Sequence, residues 1–262
     1  MPELPEVEAY RRLADERALG RTIVAVGAPD AWYLKGGLDA DALAIALVGH
    51  RFEAARRIGK LLLLDVDGDG PVLGLRFGMT GRLLVDDNDV VGELLYTSKA
   101  DRPEWDRFLV RFDDGGVLRM QDPRRLGGVL LDPPEGRLGA DATTVTPAVL
   151  RAALGASTAP LKARLLNQAH LAGVGNLIAD EALWRAGLDP RRPARSLTDA
   201  EHRRLHKHLR ASVVDLMARG GSHTGDLRTH RAPGGRCPKD GTALQRDTVG
   251  GRTTWWCPKH QR

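Results

Sequence analysis

Apolar residues recur at Val7, Tyr10, Leu13 and Ala14, the spacing of one helix face, and Gly20 ends the run. The period then shortens to that of strands. Thr22 to Val26 opens a series, and Leu61–Val66 and Val72–Leu75 flank Asp67-Gly68-Asp69-Gly70-Pro71, a hairpin turn. Phe108–Phe112 and Val117–Met120 flank Asp113-Asp114-Gly115-Gly116, a second hairpin, and Gly128 to Leu131 closes the set. Short strands with regular turns predict an antiparallel sandwich or barrel. Asp86-Asp87-Asn88-Asp89 reads as a solvated loop, because partner ligands for a metal are missing.

After Asp132-Pro133-Pro134-Glu135-Gly136 the pattern turns helical. Thr146 caps a helix with Pro147 at its first position, running to Leu154. Pro160 to Gln168 is a second helix. Gly173-Val174-Gly175-Asn176 interrupts before a third, from about Leu177 to Ala186. Thr198 with Glu201 is a capping box for a long helix ending at Gly220-Gly221. No internal repeat is visible. A Gly- and Arg-rich tail follows, giving three expected parts at 1–132, 133–221 and 222–262.

Composition narrows the class. Hydrophobic content of 42% and charged content of 28% are those of a globular chain, and 262 residues suffice for a real core. No apolar stretch approaches a membrane span and no signal-peptide pattern opens the chain, so no membrane partner is expected. Two cysteines exclude a disulfide framework and make a cytoplasmic protein the natural expectation. A net charge of +5 and a pI of about 9.5, with arginine well ahead of lysine, suit a polyanionic partner.

Two stretches carry candidate chemistry. Removal of Met1 would leave Pro2 as a free secondary amine. An α-amino group titrates near roughly 7.7–8.0, so a useful fraction is unprotonated at neutral pH. Such an amine attacks a sugar aldehyde carbon to give an iminium, and Glu3 beside it can move a proton. The alternative is that Pro2 and Pro5 only punctuate a helix start. In the tail, Cys237-Pro238-Lys239-Asp240 and Cys257-Pro258-Lys259-His260 are two pairs separated by a hairpin-sized insert, the spacing of a zinc ribbon. The alternative is a metal-free hairpin packing Trp255 and Trp256. Ligand-capable residues at all four positions favour one zinc bound by Cys237, Asp240, Cys257 and His260. Arg252, after Gly250-Gly251, would sit at the hairpin tip as a phosphate clamp or a plain turn charge.

Further stretches complete a pattern: Gly59-Lys60, Gly78-Met79-Thr80-Gly81-Arg82-Leu83, Asp122-Pro123-Arg124-Arg125-Leu126-Gly127, Leu165-Leu166-Asn167-Gln168, and Gly173–Asn176 with Ala179-Asp180-Glu181-Ala182-Leu183. With Pro2–Glu8 and Gly251-Arg252 they span nearly the whole chain. In these motifs the chain resembles the formamidopyrimidine-DNA glycosylase and endonuclease VIII family of base-excision repair enzymes. The resemblance implies an α+β fold: an N-terminal antiparallel β-sandwich with flanking helices, a helix-two-turn-helix domain, and a zinc-ribbon-like β-hairpin finger. It implies a bifunctional DNA glycosylase and AP lyase, a monomer acting on double-stranded DNA that holds damaged bases or abasic sites. A non-catalytic DNA-binding relative and an N-terminal-proline tautomerase with Pro2 as its base are the rival readings.

By resemblance Pro2 would be the nucleophile at C1′, Glu3 the general acid/base, and Lys60 a phosphate grip counted with the catalytic set. Asn176 and Arg252 would hold further phosphates around the flipped nucleotide. Met79, Arg124 and Leu126 would fill the gap left in the duplex. Two departures bear on the lesion. Leu126 stands where guanine-lesion enzymes often carry Phe, and Arg76 where they carry His. The lid between the last helix and the finger shrinks to residues 221–228, expected to be short, polar and flexible. Weak excision of 8-oxoguanine, and better activity on oxidised pyrimidines and abasic sites, would follow.

Overall fold

Residues 2–91 and 100–262 are described by a computed structural model, so Met1 lies outside the described residues. The chain divides into two units, Met1–Glu135 and Gly136–Arg262.

In the first unit, α1 (Leu4–Arg17) starts three residues ahead of its apolar period. Pro5 makes this possible, since its fixed φ and missing N–H cost nothing in a first turn. Glu6 accepts a hydrogen bond from the Glu3 N–H at 2.8 Å and closes the helix start. The buried face is Leu4, Val7, Tyr10, Leu13 and Ala14, and Tyr10 stacks on Phe77 with ring centroids 4.7 Å apart. Then come β1 (Ile23–Gly27), α2 (Ala40–Leu47), β2 (Phe52–Ile58), β3 (Leu61–Val66), β4 (Val72–Arg76), β5 (Arg82–Val85), β6 (Asp106–Phe112), β7 (Val117–Gln121) and β8 (Gly128–Leu131). They form two antiparallel four-stranded sheets, ordered β1-β6-β7-β5 and β2-β3-β4-β8. One core takes Ile23, Leu83, Phe108 and Leu118 from one sheet and Phe52, Leu62, Leu64 and Leu75 from the other. This is the expected sandwich.

The acidic run 86–89 is not merely solvated. Asp86 accepts from Arg21 at 2.8 Å, Asp87 from Arg119 at 2.6 Å, and Asp89 from Arg82 at 2.9 Å. Its carboxylates neutralise arginines of the surrounding sheet. Glu135 likewise accepts from Arg56 at 3.1 Å, within the first unit.

The second unit opens with a short parallel pair, β9 (Ala140–Asp141) and β10 (Leu171–Ala172). Its helices are α3 (Pro147–Leu154), α4 (Leu161–Leu166), α5 (Asn176–Ala186) and α6 (Asp199–Ala218). The finger is β11 (Gln245–Val249) and β12 (Arg252–Trp256). Gly250 and Gly251 join them at φ +60° and +70°, a left-handed pair that glycine adopts without strain. Trp184, Leu227, Cys237, Leu244, Trp255 and Cys257 make a core beneath the finger. No helix among the described residues is long and apolar enough to cross a membrane.

The capping box of α6 forms as its sequence predicts. Thr198 Oγ1 accepts from the Glu201 N–H at 3.3 Å, and Glu201 accepts from the Thr198 N–H at 2.8 Å and from Arg192 at 2.7 Å. The Arg192 guanidinium, aided by Thr198 and opposed by burial, holds the Glu201 carboxyl down at about 2. A depressed carboxylate stabilises the fold above its unfolded value, near 4.5, and loses that contribution as pH falls from there to about 2. Glu201→Gln should lower stability at pH 7 and flatten its pH dependence in that window. Denaturant midpoints measured across pH check this; identical slopes in both proteins would refute it.

Candidate active site and metal centre

Pro2 and Glu3 are buried at the head of α1. One turn on, Glu8 accepts from Arg57 Nε at 3.0 Å and Arg11 Nε at 3.1 Å. Burial pushes its carboxyl up, but these hydrogen bonds outweigh it and hold the group below the usual carboxylate range. Arg57 Nη1 also donates to the Gly59 carbonyl at 2.9 Å. The helix that carries Pro2 is therefore tied to the two-residue turn between β2 and β3, where Lys60 sits half-buried after Gly59 at φ +58°.

Met79, Arg124 and Leu126 lie on two loops packed backbone to backbone. A Cβ on Gly78, itself at φ +57°, would fall 2.4 Å from the Leu126 carbonyl carbon, so no larger residue fits between them. Asp122, fully buried, fastens both loops. Its carboxylate accepts from Thr80 Oγ1 at 2.5 Å, from the Gly127 N–H at 2.8 Å and from the Arg124 N–H at 3.2 Å. The outcome is a half-buried Met79, an exposed Arg124, and a Leu126 side chain that is 51% exposed beside them. An apolar side chain left out of a core on a braced loop is suited to insertion between bases.

In the second unit, the Gln168 side chain holds the turn that precedes α5. Its Nε2 donates to the Leu166 and Val174 carbonyls at 2.8 and 2.9 Å, and its Oε1 accepts from the Gly173 N–H at 3.0 Å. Asn176 begins α5 from that turn, and its buried Oδ1 has no hydrogen-bond partner among the described residues. Asp180, one turn further, is a buried hub. It pairs with Lys162 at 2.7 Å and Arg231 at 2.8 Å, and Lys162 donates to Thr254 Oγ1 at 2.7 Å and the Thr253 carbonyl at 3.3 Å. The hub fixes β12 on α4 and α5, and a Cβ at Gly250 would meet Ala163 at 3.0 Å. Arg252 is thereby presented, exposed, at the start of β12. Asp122, Lys162 and Asp180 were missed as functional supports. The visible signal was a charged residue at an apolar-phase position, as in Leu161-Lys162.

The 221–228 segment departs from the flexible lid expected of it. Ser222–Thr224 is a 3₁₀ turn and Leu227 is fully buried. The buried Glu181 carboxylate accepts from the Asp226 and Leu227 N–H groups at 3.2 and 2.9 Å, while Asp226 pairs with Arg185 and Arg219. The segment is pinned to α5, and the lesion preference argued from its looseness loses that support.

Ligand atoms of Cys237, Asp240, Cys257 and His260 lie within 4.8 Å of one another. Cys237 Sγ is 3.5 Å from His260 Nδ1, and Cys257 Sγ is 3.4 Å from Asp240 Oδ2. Two thiols, an imidazole and a carboxylate at such spacing suit a tetrahedral ion with ligand bonds of about 2.0–2.3 Å. The supports are also those of a metal site. His260 Nε2 lies 3.1 Å from the Trp184 carbonyl, which leaves Nδ1 for the metal, and Trp184 Nε1 donates to Cys237 Sγ at 3.4 Å. The Thr242 N–H holds Asp240 well below the usual carboxylate range, and burial raises the Cys257 thiol. The cluster can hold a metal ion.

Residues 1–129 match the family described as the formamidopyrimidine-DNA glycosylase N-terminal domain, and residues 138–226 match its H2TH domain. The formamidopyrimidine-DNA glycosylase of Chloroflexus aggregans is 36% identical over 98% of each chain, and that of Paracoccus denitrificans 35% identical over the whole of both. The fold superposes on Lactococcus lactis Fpg bound to abasic-site DNA with a TM-score of 0.84, at 26% identity and full coverage of both chains. It does so equally, at 27% identity, on a complex of that protein with oxidised-pyrimidine DNA.

Removing the Asp122 carboxylate strands a buried N–H at Gly127, which costs on the order of 1–3 kcal/mol. Asp122→Ala should lower stability by about that amount and strip hydrogen-exchange protection from the Gly127 amide. Hydrogen exchange at residue resolution checks it, and retained protection would show that the loops hold without the carboxylate.

Proposed function

This chain belongs to the formamidopyrimidine-DNA glycosylase family, and on that premise we propose that it is a bifunctional DNA glycosylase and AP lyase working through the amine of Pro2. Membership makes it an enzyme, a DNA glycosylase for damaged bases. The observation that carries the finer reading is the placement of Pro2 beside the buried Glu3 at the head of a helix braced to the Lys60 turn.

The Pro2 nitrogen gives its lone pair to C1′ of the extruded nucleotide, the glycosidic bond breaks with its electrons leaving on the base, and the proton that the nitrogen sheds balances the one the base takes up. Glu3 delivers a proton to the ring oxygen as the C1′–O bond opens, leaving a cationic iminium. The iminium acidifies C2′. Loss of that proton expels the 3′ phosphate by β-elimination and nicks the strand, and water then releases Pro2. Lys60, Asn176 and Arg252 hold phosphates through charge-assisted or amide hydrogen bonds. Met79, Arg124 and Leu126 occupy the space vacated in the stack. The substrates of this reading are ring-opened or oxidised bases and abasic sites in duplex DNA.

Borohydride trapping on abasic-site DNA tests the chemistry. Reduction of the iminium joins the protein to the strand. Pro2→Gly, or retention of Met1, should reduce the trapped product at least a hundredfold while binding survives. Binding of the unaltered protein without any trapping would instead make it a non-catalytic DNA-binding relative, and full trapping with Met1 retained would move the nucleophile to a lysine.

In this reading the metal is zinc, one per chain, held by Cys237, Asp240, Cys257 and His260 as a structural ion that fastens the two ends of the finger. Each ligand must be deprotonated, so acid and chelators should strip it more readily than from four thiolates. Elemental analysis should give one zinc per chain, and His260→Ala should weaken retention at least tenfold. Freshly purified, folded protein free of zinc would end the assignment.

A further inference from the structure

Of the five tryptophans only Trp32 is exposed, at 66%, and nothing in the chemistry above uses it. It stands in a 3₁₀ turn, Ala31–Tyr33, capped by Asp30, which accepts from the Trp32 N–H at 3.2 Å. The same carboxylate receives Arg125 as a two-pronged pair at 2.6 and 2.7 Å. Arg125 sits between Arg124 and Leu126 at φ +57°, a conformation unusual for arginine and held here by that pair. A Cβ on Gly127 would lie 2.2 Å from Tyr33 Oη, and one on Gly128 would lie 2.7 Å from Lys35 Cγ. The Lys35 N–H donates to the Val129 carbonyl at 2.9 Å. The turn and the wedge loop are thus one braced piece.

Lys35 adds charge to the exposed ring. Its ammonium donates to the Trp32 carbonyl at 2.6 Å and lies 4.6 Å from the indole centroid. An indole left in water with a lysine against it combines a π-face with a cation. That pairing is what nucleic acid binds: bases stack on the face and phosphates meet the charge.

We propose that Trp32 and Lys35 form a second DNA contact beside the wedge, with the indole stacking on a base that flanks the gap and Lys35 meeting its phosphate. This rests on the reading of Met79, Arg124 and Leu126 as the wedge. Stacking on an aromatic contributes about 1–3 kcal/mol per base. Trp32→Ala should therefore weaken binding to a duplex with a tetrahydrofuran abasic site about tenfold, and Trp32→Phe by less than about threefold. Lys35→Gln should flatten the salt dependence by about one phosphate contact. Contact is read independently from tryptophan emission, whose quenching by this DNA should shrink in Trp32→Phe.

Unchanged affinity in Trp32→Ala, or an undiminished quench in Trp32→Phe, would overturn the proposal while leaving the enzyme reading intact. Failure of the unaltered protein to prefer the abasic-site duplex over undamaged duplex would overturn both.

Discussion

A buried carboxylate with no water to solvate it must find donors or stay neutral, and the Asp122 side chain meets that demand with three. Those donors belong to Thr80, Arg124 and Gly127, so satisfying one charge fixes two loops at once. The loops come so close at Gly78 and Leu126 that no side chain fits between them. Leu126 is left in solvent at 51% exposure, against the preference of any leucine. An apolar tip held out of the core by polar bonds beneath it is the arrangement an intercalating reading requires.

The second unit uses the same device. Asp180 gathers Lys162 and Arg231, and through Lys162 it holds Thr253 and Thr254 of the finger strand. Breaking such a pair by removing one member costs about 3–5 kcal/mol, because the survivor is left charged and dry. Replacing the pair by apolar residues need cost nothing, so its worth lies in geometry. An apolar contact would let the hairpin slide along α4 and α5, whereas directed bonds set where Arg252 comes out. Glu181 repeats the device one residue on, catching the 226–227 backbone.

Much of this was legible in the sequence and some was not, for separable reasons. The α6 cap and the two hairpins are local patterns whose partners lie a few positions apart, and they form as read; the metal-cluster residues pair across 17 and 23 positions, and their spaced repeat made them visible. β2 was not legible, because Phe52-Glu53-Ala54-Ala55-Arg56-Arg57-Ile58 keeps few apolar residues in phase; its arginines are held by Asp65, Glu135 and Glu8. α2 was hidden by alternating alanines that fit a helix or a strand. The acidic 86–89 run is the exposed turn its composition predicts, but the partners of this run and of the 221–228 segment were not legible, for one reason. Their composition is that of solvated loops, and the arginines and the glutamate that order them come from distant parts of their own units. Local composition carries no record of a long-range partner. The roles of Lys60 and Asn176 came from the family motifs and that of Pro2 from amine chemistry as well, and the geometry adds how Glu8, Arg57 and Gln168 brace the segments that carry them.

The same bonds explain how the finger can carry an unusual ligand set. Where four thiolates would close a small hairpin on metal energy alone, this hairpin has other fastenings. The Lys162–Asp180–Arg231 hub takes one strand, and Trp184, Leu227, Leu244 and Trp255 enclose its base in an apolar cluster. Arg191 lies 3.8 Å over the Trp256 ring, and the tip rests on Ala163. Weaker ligands are tolerable when the fold does not hang on the ion. His260, neutral where a thiolate would be charged, would also lower by one the negative charge that a bound metal must neutralise, while Asp240 would leave it unchanged. That leaves a more positive finger around Arg252, the sign that a phosphate backbone favours.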